Sequence, residues 1–592
     1  MSSFVERRRP AFAPELLARV GFALGIVTLV VLLTSIPTIL AMRFPDPDDT
    51  LRLVQVRDLV AGQGWFDLTQ HRIDAPNGGV PMHWSRLVDI PVAIVIIALS
   101  PLIGTVAAET VALVVVPLVT LAIALLLAGR IAWRLMGEEV AVLACLAMAL
   151  SVPLLSQMRP LRIDHHGWQV VFALAVLNGL MARSPRIGGW VAGVSMAAWL
   201  AISIEGLPLV FAVCGVTALR WMRSGSGSAW LVSTTQGLAG GSLILFLALR
   251  GPVGLTQYCD VVGAGHIAGF AVAAIGVLLL ARCEPMPPAM RVGGLVVTGI
   301  AAGAALLAVA PSCANGTFNQ LDPLVFEFWY DRVHEGLPVW RQDLSLALQS
   351  ILPPLIGLVA SLRLARASGG WLRIWWTEYA LVLGAALLIT VFVIRAGAVA
   401  GALAAVPLGW QINAWLRAAR TVQRPGRRAL VMATLVLTIM PAFPLTLMTM
   451  AMPARADDGK RAPRVSECRL SEGVAALRKL PRGEILTPID LGPQLLYETQ
   501  HTVVASGHHR GAASMKTVIS TFLGSEAEAR DTLRARGTRY VAICPDLNEP
   551  MMYEQDAPRG FMASLLRGRA PRWLEPVPVP QGSALKVWRI AD

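Results

Sequence analysis

Long apolar segments follow one another along almost the whole chain, separated by short polar connections. Thirteen of them approach or reach the roughly 20 residues that a helix needs to cross a bilayer. They occupy residues 16–42, 106–133, 138–156, 167–183, 187–203, 206–222, 229–249, 262–282, 292–312, 345–366, 374–394, 396–417 and 429–449. The first is too long for the core of a signal peptide, so we interpret it as a retained helix. This pattern predicts a polytopic α-helical membrane protein.

The distribution of arginine decides how to interpret a further apolar stretch, residues 90–105. Cytoplasmic connections of membrane proteins are enriched in Lys and Arg. If residues 90–105 do not cross the membrane, the Arg clusters fall on the same side as Arg7, Arg8 and Arg9, which we take as cytoplasmic. These clusters lie at residues 130–134, 183–186, 220–223, 282–291, 363–373 and 417–428. We therefore expect about 13 transmembrane helices, with residues 90–105 as a re-entrant or interfacial helix.

Three larger polar regions then lie on the other, extracytoplasmic side: the loop 43–89, the loop 313–344 and the tail 453–592. In the tail, the segments ILTPIDLG and TRYVAICP have the pattern of buried strands. The segment SEAEARDTLRARG between them has helical periodicity and ends in glycine. The sequence thus predicts a transmembrane domain, residues 1–452, followed by an extracytoplasmic α/β domain, residues 453–592.

Composition agrees with a membrane protein and argues against a nucleic-acid partner. The chain is 55% hydrophobic and 15% charged, with a mean hydropathy of +0.59, whereas soluble domains are roughly 25% charged. The net charge of +13 comes from arginines at the ends of apolar segments, where they set topology. The seven cysteines include no CxxC pair, so they indicate neither a zinc motif nor a redox motif. Whether Cys468 and Cys544 form a disulfide stays open.

Ionisable side chains gather where predicted helices end on the extracytoplasmic side. They are Asp48 and Asp49 in FPDPDDTLRLVQVRDL, Asp164, His165 and His166 in RPLRIDHHGW, and Glu335 in FEFWYDRVHEGLPVW. Carboxylates and imidazoles are ligands for divalent metals. Ionisable groups at a membrane boundary are costly unless they are paired or bound to metal. The clusters therefore indicate a metal site that holds Mg²⁺ or Mn²⁺.

Each motif also has a structural alternative. Asp48 or Asp49 could cap the helix that follows. The two histidines could be hydrogen-bonded interfacial residues, and Glu335 could be a solvated carboxylate in a loop. The functional interpretation is favoured because all three motifs fall on the same predicted face of the membrane.

The order of these motifs resembles the catalytic subunit of oligosaccharyltransferase, a family of GT-C membrane glycosyltransferases with a C-terminal extracytoplasmic domain. Asp48 is similar to the family's first-loop acidic residue, and Asp164 with His166 to its Asp-x-Asp or Asp-x-His pair. The run Arg332-Val333-His334-Glu335 resembles its Ser-Val-Ser-Glu motif. The resemblance implies that Asp48, Asp164 and His166 bind a metal ion. It also implies that Glu335 completes the metal site and helps to hold the acceptor.

One motif of that family is missing. The Trp-Trp-Asp-Tyr-Gly run that reads the acceptor peptide does not occur in the tail. The similar run that begins at Trp375 and Trp376 precedes a span on the predicted cytoplasmic face, and we interpret it as an interfacial aromatic anchor. The acceptor is therefore left open as a glycan, a lipid or a protein.

Four further residues are weaker candidates. Arg395, at the outer end of a span, could bind the donor phosphate or extend to the interface. Glu205 could orient a ligand or cap a helix. His509 and Arg510 could face the acceptor or belong to a polar loop.

Together these patterns predict a metal-dependent glycosyltransferase at the outer face of a bacterial inner membrane. It would transfer a sugar or oligosaccharide from a polyprenyl (di)phosphate donor, with Asp48 or Glu335 as general base. The alternatives are a transporter or flippase for polyprenyl-linked glycans and a non-catalytic assembly partner. A transporter is expected to place its ionisable residues near the bilayer midplane. The donor sugar, the carrier and the stereochemical outcome stay open.

Overall fold

The computed structural model describes residues 12–223, 227–251, 255, 258–316, 318, 321–441, 443, 470–580 and 583–591. Helices dominate the part that precedes the tail. In chain order they are α1 (Pro14–Leu40), α2 (Pro47–Val60), α3 (Arg86–Ile103), α4 (Thr105–Met136), α5 (Glu138–Ala149), α6 (Val152–Leu155), α7 (His166–Leu180), α8 (Pro185–Ile202), α9 (Leu207–Arg223), α10 (Ser228–Leu249), α11 (Ala264–Arg282), α12 (Pro288–Val309), α13 (Pro323–Phe328), α14 (Leu344–Ala367), α15 (Gly370–Phe392), α16 (Gly397–Arg420) and α17 (Pro425–Ile439).

Ten segments among the described residues are helical, long enough and apolar enough to cross a membrane: α1, α3, α4, Ile204–Arg223 (which includes α9), α10, α11, α12, α14, α15 and Ile394–Arg420 (which includes α16). Nine of them coincide with predicted spans, which confirms a polytopic α-helical membrane protein. The tenth, α3, covers the stretch 90–105. Its length and composition do not separate it from a span, so its interpretation as a re-entrant or interfacial helix stays a prediction.

The remaining predicted spans correspond to shorter or less apolar helices. Within the described chain, these are α5, α7 and α8. The predicted span 429–449 begins in α17, and its residues 442 and 444–449 lie outside the described residues. A helix of 12 residues such as α5 rises only about 18 Å, less than the roughly 30 Å hydrocarbon core. Gly137, with φ of 97°, separates α5 from α4. Ten rather than about 13 helices therefore meet the length and composition requirement among the described residues.

The chain divides into two compact units, and the first contains residues 1–43, 85–317 and 334–453. The Ile394–Arg420 segment is the most extensively buried of its candidate spans. Helices α8 and α10 pack closely because glycines on α8 leave room for the α10 backbone. A Cβ atom at Gly193, for example, would lie 2.7 Å from the Leu238 amide nitrogen. Small residues permit such close approach between helices in a membrane.

The second unit contains residues 44–84, 318–333 and 454–592. Its tail forms a mixed sheet whose strands are β3 (Glu484–Leu486), β4 (Thr502–Val503), β5 (Tyr540–Ile543), β6 (Leu574–Val577) and β7 (Lys586–Ile590), after the small hairpin β1 (Thr69–Gln70) and β2 (Val80–Pro81). The strand order is β4-β3-β5-β7-β6. Strand β3 pairs in parallel with β4 and β5, whereas β7 is antiparallel to β5 and β6.

The tail helices are α18 (Leu470–Leu477), α19 (Gly492–Glu498), α20 (Ala512–Leu523), α21 (Glu526–Arg536), α22 (Asn548–Asp556) and α23 (Phe561–Leu566). The predicted helix in SEAEARDTLRARG is α21. Ser525 and Glu528 form a reciprocal capping box at its start, and Gly537 ends it in the left-handed conformation. The predicted strands are also present as β3 and β5, which confirms the α/β character of the tail.

Residues of the first loop are built into the second unit. Ile73 forms a parallel bridge with Val503 at the end of β4. The Arg72 guanidinium donates to the carbonyl oxygens of Leu496 and Thr499, both at 3.0 Å. Residues 318–333 also contribute to this unit's core, where Val325 of α13 is fully buried. The compact tail therefore includes segments that lie far away in sequence.

Cysteines form one fully described disulfide, between Cys259 and Cys313 in the first unit. Cys283 is a free, exposed cysteine in the same unit. Cys544 in the tail is disulfide-bonded. Cys468 lies outside the described residues, so its pairing with Cys544 stays open.

Candidate active site

The core of the candidate site is the sequence Asp164-His165-His166, which leads into α7. All three residues are buried. The turn before them contains Leu161 with φ of 70°, a left-handed conformation that costs a non-glycine residue roughly 1–2 kcal/mol. The Leu161 amide donates to the Leu113 carbonyl at 2.9 Å, which holds this turn against α4. The mouth of α7 is thus a fixed position in the fold.

Asp164 is held by both neighbouring histidines. Its Oδ1 atom accepts from the His165 backbone amide and lies 2.6 Å from His165 Nδ1. Its Oδ2 atom lies 3.3 Å from His166 Nε2. One nitrogen or oxygen atom from each of the three residues lies within 4.8 Å of the other two, an arrangement that could hold a metal ion.

Glu335 joins this cluster from the second large loop. Its carboxylate lies 3.8 Å from His166 Nε2, 3.4 Å from Arg395 Nη1 and 3.9 Å from Arg162 Nη2. Burial raises the pKa of Glu335, but the hydrogen bond from His166 and the charges of His166, Arg395 and Arg162 outweigh burial and lower the pKa to about 2. The predicted proximity of Glu335 to His166 is therefore present within the first unit, whereas convergence of Glu335 and Asp164 on one ion stays a prediction.

Arg395 and Glu205 form an ion pair beside Glu335. Each residue lies in a short 3-10 helix between two long helices, Arg395 between α15 and α16 and Glu205 between α8 and α9. The Arg395 side chain is 22% exposed, and its guanidinium is shared by the two carboxylates. Arg395 is thus part of a charged cluster at helix ends.

Three residues of this environment do not appear among the sequence-based candidates. Arg162 is 6% exposed and donates from Nε to Gln157 Oε1 at 2.9 Å. Gln169 and Trp199 stand behind His166. Arg162 lies two residues before Asp164, and Gln169 lies one helical turn after His166, where side chains share a face. Those spacings could have identified Arg162 and Gln169, whereas no such spacing points to Trp199 in α8.

Gln169 sets the orientation of the His166 ring. The Trp199 indole N–H, which can only donate, lies 3.1 Å from Gln169 Oε1. The Gln169 amide NH₂ therefore faces His166 Nδ1 at 3.2 Å, so Nδ1 accepts. The proton of a neutral His166 ring then lies on Nε2, directed at Asp164 and Glu335. A metal ion on His166 Nε2 would require that proton to leave and the Gln169 amide to rotate.

The first-loop candidates lie in the second unit. Asp46, rather than Asp48 or Asp49, caps α2, since its side chain accepts from the Asp48 amide at 2.9 Å. Asp49 is fully buried and Asp48 is partly exposed. The capping alternative for Asp48 and Asp49 is therefore wrong. The convergence of Asp48 with Asp164, His166 and Glu335 stays a prediction.

His509 and Arg510 also belong to the second unit, in a short 3-10 helix before α20. The Arg510 guanidinium donates to the Met82 carbonyl at 3.3 Å. The ring of His509 stacks on His508, and both rings lie near His83. This loop thus contributes to a histidine cluster, in which His83 was not among the predicted residues. The interpretation that His509 and Arg510 face the acceptor stays a prediction.

Trp375 and Trp376 are each only 1% exposed. The expectation that they form an interfacial aromatic anchor is therefore wrong. Instead, Trp376 packs against Tyr379, whose hydroxyl donates to the Leu403 carbonyl in α16 at 2.5 Å. Both tryptophans are structural residues of the helix core.

The donor set of the first unit suits a divalent ion. Asp164 and Glu335 supply carboxylate oxygens, and His165 and His166 supply imidazole nitrogens. If the Nδ1–H of a neutral His165 ring donates to Asp164, the His165 Nε2 atom carries a lone pair that can bind a metal ion. A carboxylate that accepts from the other ring nitrogen in this way orients many metal-binding histidines.

Comparison with known proteins identifies the fold. The chain is similar to archaeal oligosaccharyltransferase AglB from Archaeoglobus fulgidus in complex with an inhibitory peptide and a dolichol-phosphate, with a TM-score of 0.64 and 12% identity over 94% of this chain and 72% of that one. The A. fulgidus enzyme in complex with Zn and sulfate gives a TM-score of 0.58 at 13% identity, covering 91% and 70% of the two chains. The chain has the oligosaccharyltransferase fold.

A third structure of the A. fulgidus oligosaccharyltransferase, tethered with an acceptor peptide containing the NVT sequon, gives a TM-score of 0.59 at 14% identity, covering 91% of this chain and 71% of that one. No protein-family model and no curated protein sequence matches the chain.

Proposed function

We propose that the protein is a glycosyltransferase that moves a sugar or oligosaccharide from a polyprenyl (di)phosphate donor to an acceptor. The observation that carries the proposal is the cluster of Asp164, His166, Glu335 and Arg395. It lies at helix ends in a chain with the oligosaccharyltransferase fold, and the three motifs that resemble those of that family occur in the same order.

The arginines of the cluster support a phosphate-bearing donor. A guanidinium can hold phosphate oxygens through two parallel hydrogen bonds. Arg395 is the reachable group, because it is 22% exposed whereas Arg162 is 6% exposed. In our proposal, the donor phosphate takes over part of the interaction that Arg395 makes with Glu205 and Glu335. The dolichol-phosphate in the similar AglB structure supports a lipid-linked donor.

We propose Asp164, His165, His166 and Glu335 as the groups that hold a divalent ion, Mg²⁺ or Mn²⁺. The metal-binding role of Asp48 is proposed from the sequence resemblance alone. When bound, such an ion stabilises the charge that develops on the departing phosphate. The Zn in the similar A. fulgidus structure supports a metal in this fold.

Glu335 and Asp48 have different proposed roles. Two guanidinium groups and the His166 ring surround the Glu335 carboxylate and hold it as an anion. Such a group is suited to hold cations and the acceptor rather than to take up a proton. Asp48, which is partly exposed, is the remaining candidate for the general base.

The orientation we propose places the cluster and the tail outside the cytoplasm, in a bacterial inner membrane. The Cys259–Cys313 disulfide supports this orientation, because both cysteines are in connections predicted to be extracytoplasmic and disulfides persist in oxidising compartments. The exposed free thiol of Cys283 lies in a connection predicted to be cytoplasmic. Nucleotide sugars are absent outside the inner membrane, which favours a lipid-linked donor.

Metal dependence is tested on the purified full chain. Chelator should abolish sugar transfer, and added Mn²⁺ or Mg²⁺ should restore it. Asp164→Asn removes a ligand charge while preserving side-chain size, so it should raise the metal concentration needed for half-maximal activity by about tenfold or more. The matched control is Glu327→Gln, which removes the charge of an exposed carboxylate in the second large loop. Full activity in excess chelator would contradict the metal-dependent assignment.

A further inference from the structure

The second unit contains a compact cluster of three histidines that the proposed transferase chemistry does not use. His83 follows strand β2, whereas His508 and His509 precede helix α20. Their ring centroids are 4.8, 5.0 and 4.8 Å apart, so the rings form a nearly equilateral triangle. His508 is buried, and the other two rings are partly exposed.

The nitrogen atoms of this cluster are close to the geometry of a metal site. His83 Nδ1 lies 2.6 Å from His508 Nε2, and one nitrogen from each of the three rings lies within 4.8 Å of the others. Tetrahedral zinc with Zn–N bonds of about 2.0–2.1 Å separates its ligand nitrogens by roughly 3.3 Å. The distance from His83 Nδ1 to His508 Nε2 is shorter than that value, so a bound ion would require these two rings to move apart.

The chemistry of the cluster selects among metals. The three ligands are imidazoles without a carboxylate, a set that suits zinc and other transition metals rather than Mg²⁺, Mn²⁺ or Ca²⁺. The 2.6 Å contact between His83 and His508 requires one nitrogen to donate and the other to accept, so at least one ring is not fully protonated. The group thus differs from the carboxylate-rich cluster around Asp164.

The surroundings restrict movement of the rings. Trp84 packs edge-on to His508 with centroids 6.1 Å apart, and Phe318 packs edge-on to His509 at 5.3 Å. The three histidines thus come from the first loop and the tail. The aromatic neighbours Trp84 and Phe318 come from the first loop and the second large loop.

We propose that His83, His508 and His509 bind a zinc ion that joins the first loop to the tail. Three protein ligands leave a fourth position for water. Because His83 and His508 are 425 residues apart in sequence, the ion closes a long loop and stabilises the second unit. The zinc site shares no residue with the proposed transferase site.

The test measures bound zinc in the purified full chain after dialysis, with Asp164→Asn present throughout to weaken the other candidate metal site equally in every protein compared. Adding His71→Gln should leave about one zinc per chain, because His71 is an exposed histidine of the same unit that pairs with Asp67. Adding His508→Gln together with His509→Gln instead should lower zinc affinity at least 100-fold. Equal zinc in both proteins would overturn the proposal.

A second measurement needs no change in the histidines. X-ray absorption at the zinc edge of the Asp164→Asn protein should show three imidazole nitrogens at about 2.0–2.1 Å. An oxygen-dominated shell, or no bound zinc, would overturn the proposal. The proposal would also be overturned if inorganic phosphate, but not zinc, raised the unfolding temperature and if His508→Gln abolished that rise. The cluster would then be an anion site. These results are independent of sugar transfer, since the same Asp164→Asn change is present throughout.

Discussion

At the scale of single residues, Glu335 is the common partner of Arg162, Arg395 and His166. Glu335→Gln removes the negative charge and leaves these groups without their common anion. We expect sugar transfer to fall roughly 100-fold, about 3 kcal/mol in the barrier. Glu327→Gln in the same loop should retain activity because Glu327 is exposed. The two variants should be compared by initial transfer rate, and equal rates would remove Glu335 from the site.

Local sequence predicted part of this residue network. Asp164, His165 and His166 are adjacent, and their position at a helix mouth was apparent from the apolar run that follows. The contact of His166 with Glu335 was supported only by the order of motifs in a resembling family. The roles of Gln169 and Trp199 depend on the packing of α8 against α7. That packing is set by tertiary contacts, so a single sequence does not specify it.

A second residue-level prediction concerns Glu549 in α22, which is buried against the segment after β3. Its carboxylate accepts from the Ile489 and Asp490 amides at 2.7 and 3.0 Å, and from the Tyr553 hydroxyl at 2.7 Å. Burial, followed by repulsion from Asp490, raises the pKa of Glu549 from 4.5 to about 7. Because the folded pKa is raised, the stabilising contribution is complete below about pH 4.5 and is lost as pH rises through 7.

We therefore expect the unfolding temperature of the second unit to fall between pH 5.5 and pH 8.5, by roughly 5 °C. Glu549→Gln cannot ionise, so this pH-dependent fall should shrink even if the variant is less stable at every pH. Glu554→Gln on the same helix, where Glu554 pairs with Arg567 near the surface, should keep the wild-type pH dependence. Thermal unfolding of the full chain provides the measurement. An unchanged pH dependence in Glu549→Gln would contradict the assignment.

At the scale of helices, the close contact between α8 and α10 makes a specific prediction. A Cβ atom at Gly193 would overlap the Thr234 carbonyl and the Leu238 amide, which are backbone atoms that cannot rotate away. Gly193→Ala should lower stability by about 1–3 kcal/mol. Gly299→Ala in α12 is the control, since nothing lies within 4 Å of its Cβ position. Thermal unfolding in detergent should separate the two variants, and equal unfolding temperatures would contradict this packing.

Elements with strong local signals were predictable. Helix α21 has its capping box and terminal glycine in sequence, and β5 lies in an apolar run. The incorporation of residues 44–84 and 318–333 into the tail's unit was not predictable, because it depends on pairings such as Ile73 with Val503. The ends of α5 and α7 were also missed, since their apolar segments continue into turns that hydropathy does not distinguish from helix.

At the scale of the whole molecule, the proposed topology predicts which thiols are accessible from each side of the membrane. Cys283 is exposed and lies between α11 and α12, on the predicted cytoplasmic side. In spheroplasts, an impermeant maleimide should not label it until the membrane is opened. Gly336→Cys, in the second large loop with nothing within 4 Å of its Cβ position, should be labelled at once. Labelling of Cys283 in sealed spheroplasts would overturn the proposed orientation.

The most direct test of the central claim is transfer of sugar from a labelled polyprenyl diphosphate donor by the purified full chain in liposomes. A transferase should move the label from the lipid to an acceptor and release polyprenyl diphosphate, because the bond that breaks joins the sugar to the outer phosphate. Asp164→Asn should fold and insert normally yet reduce this transfer by about 100-fold, because metal-based stabilisation of the leaving phosphate is worth several kcal/mol. The contrary result is a wild-type protein that carries the labelled lipid across the bilayer while every sugar stays attached to its carrier.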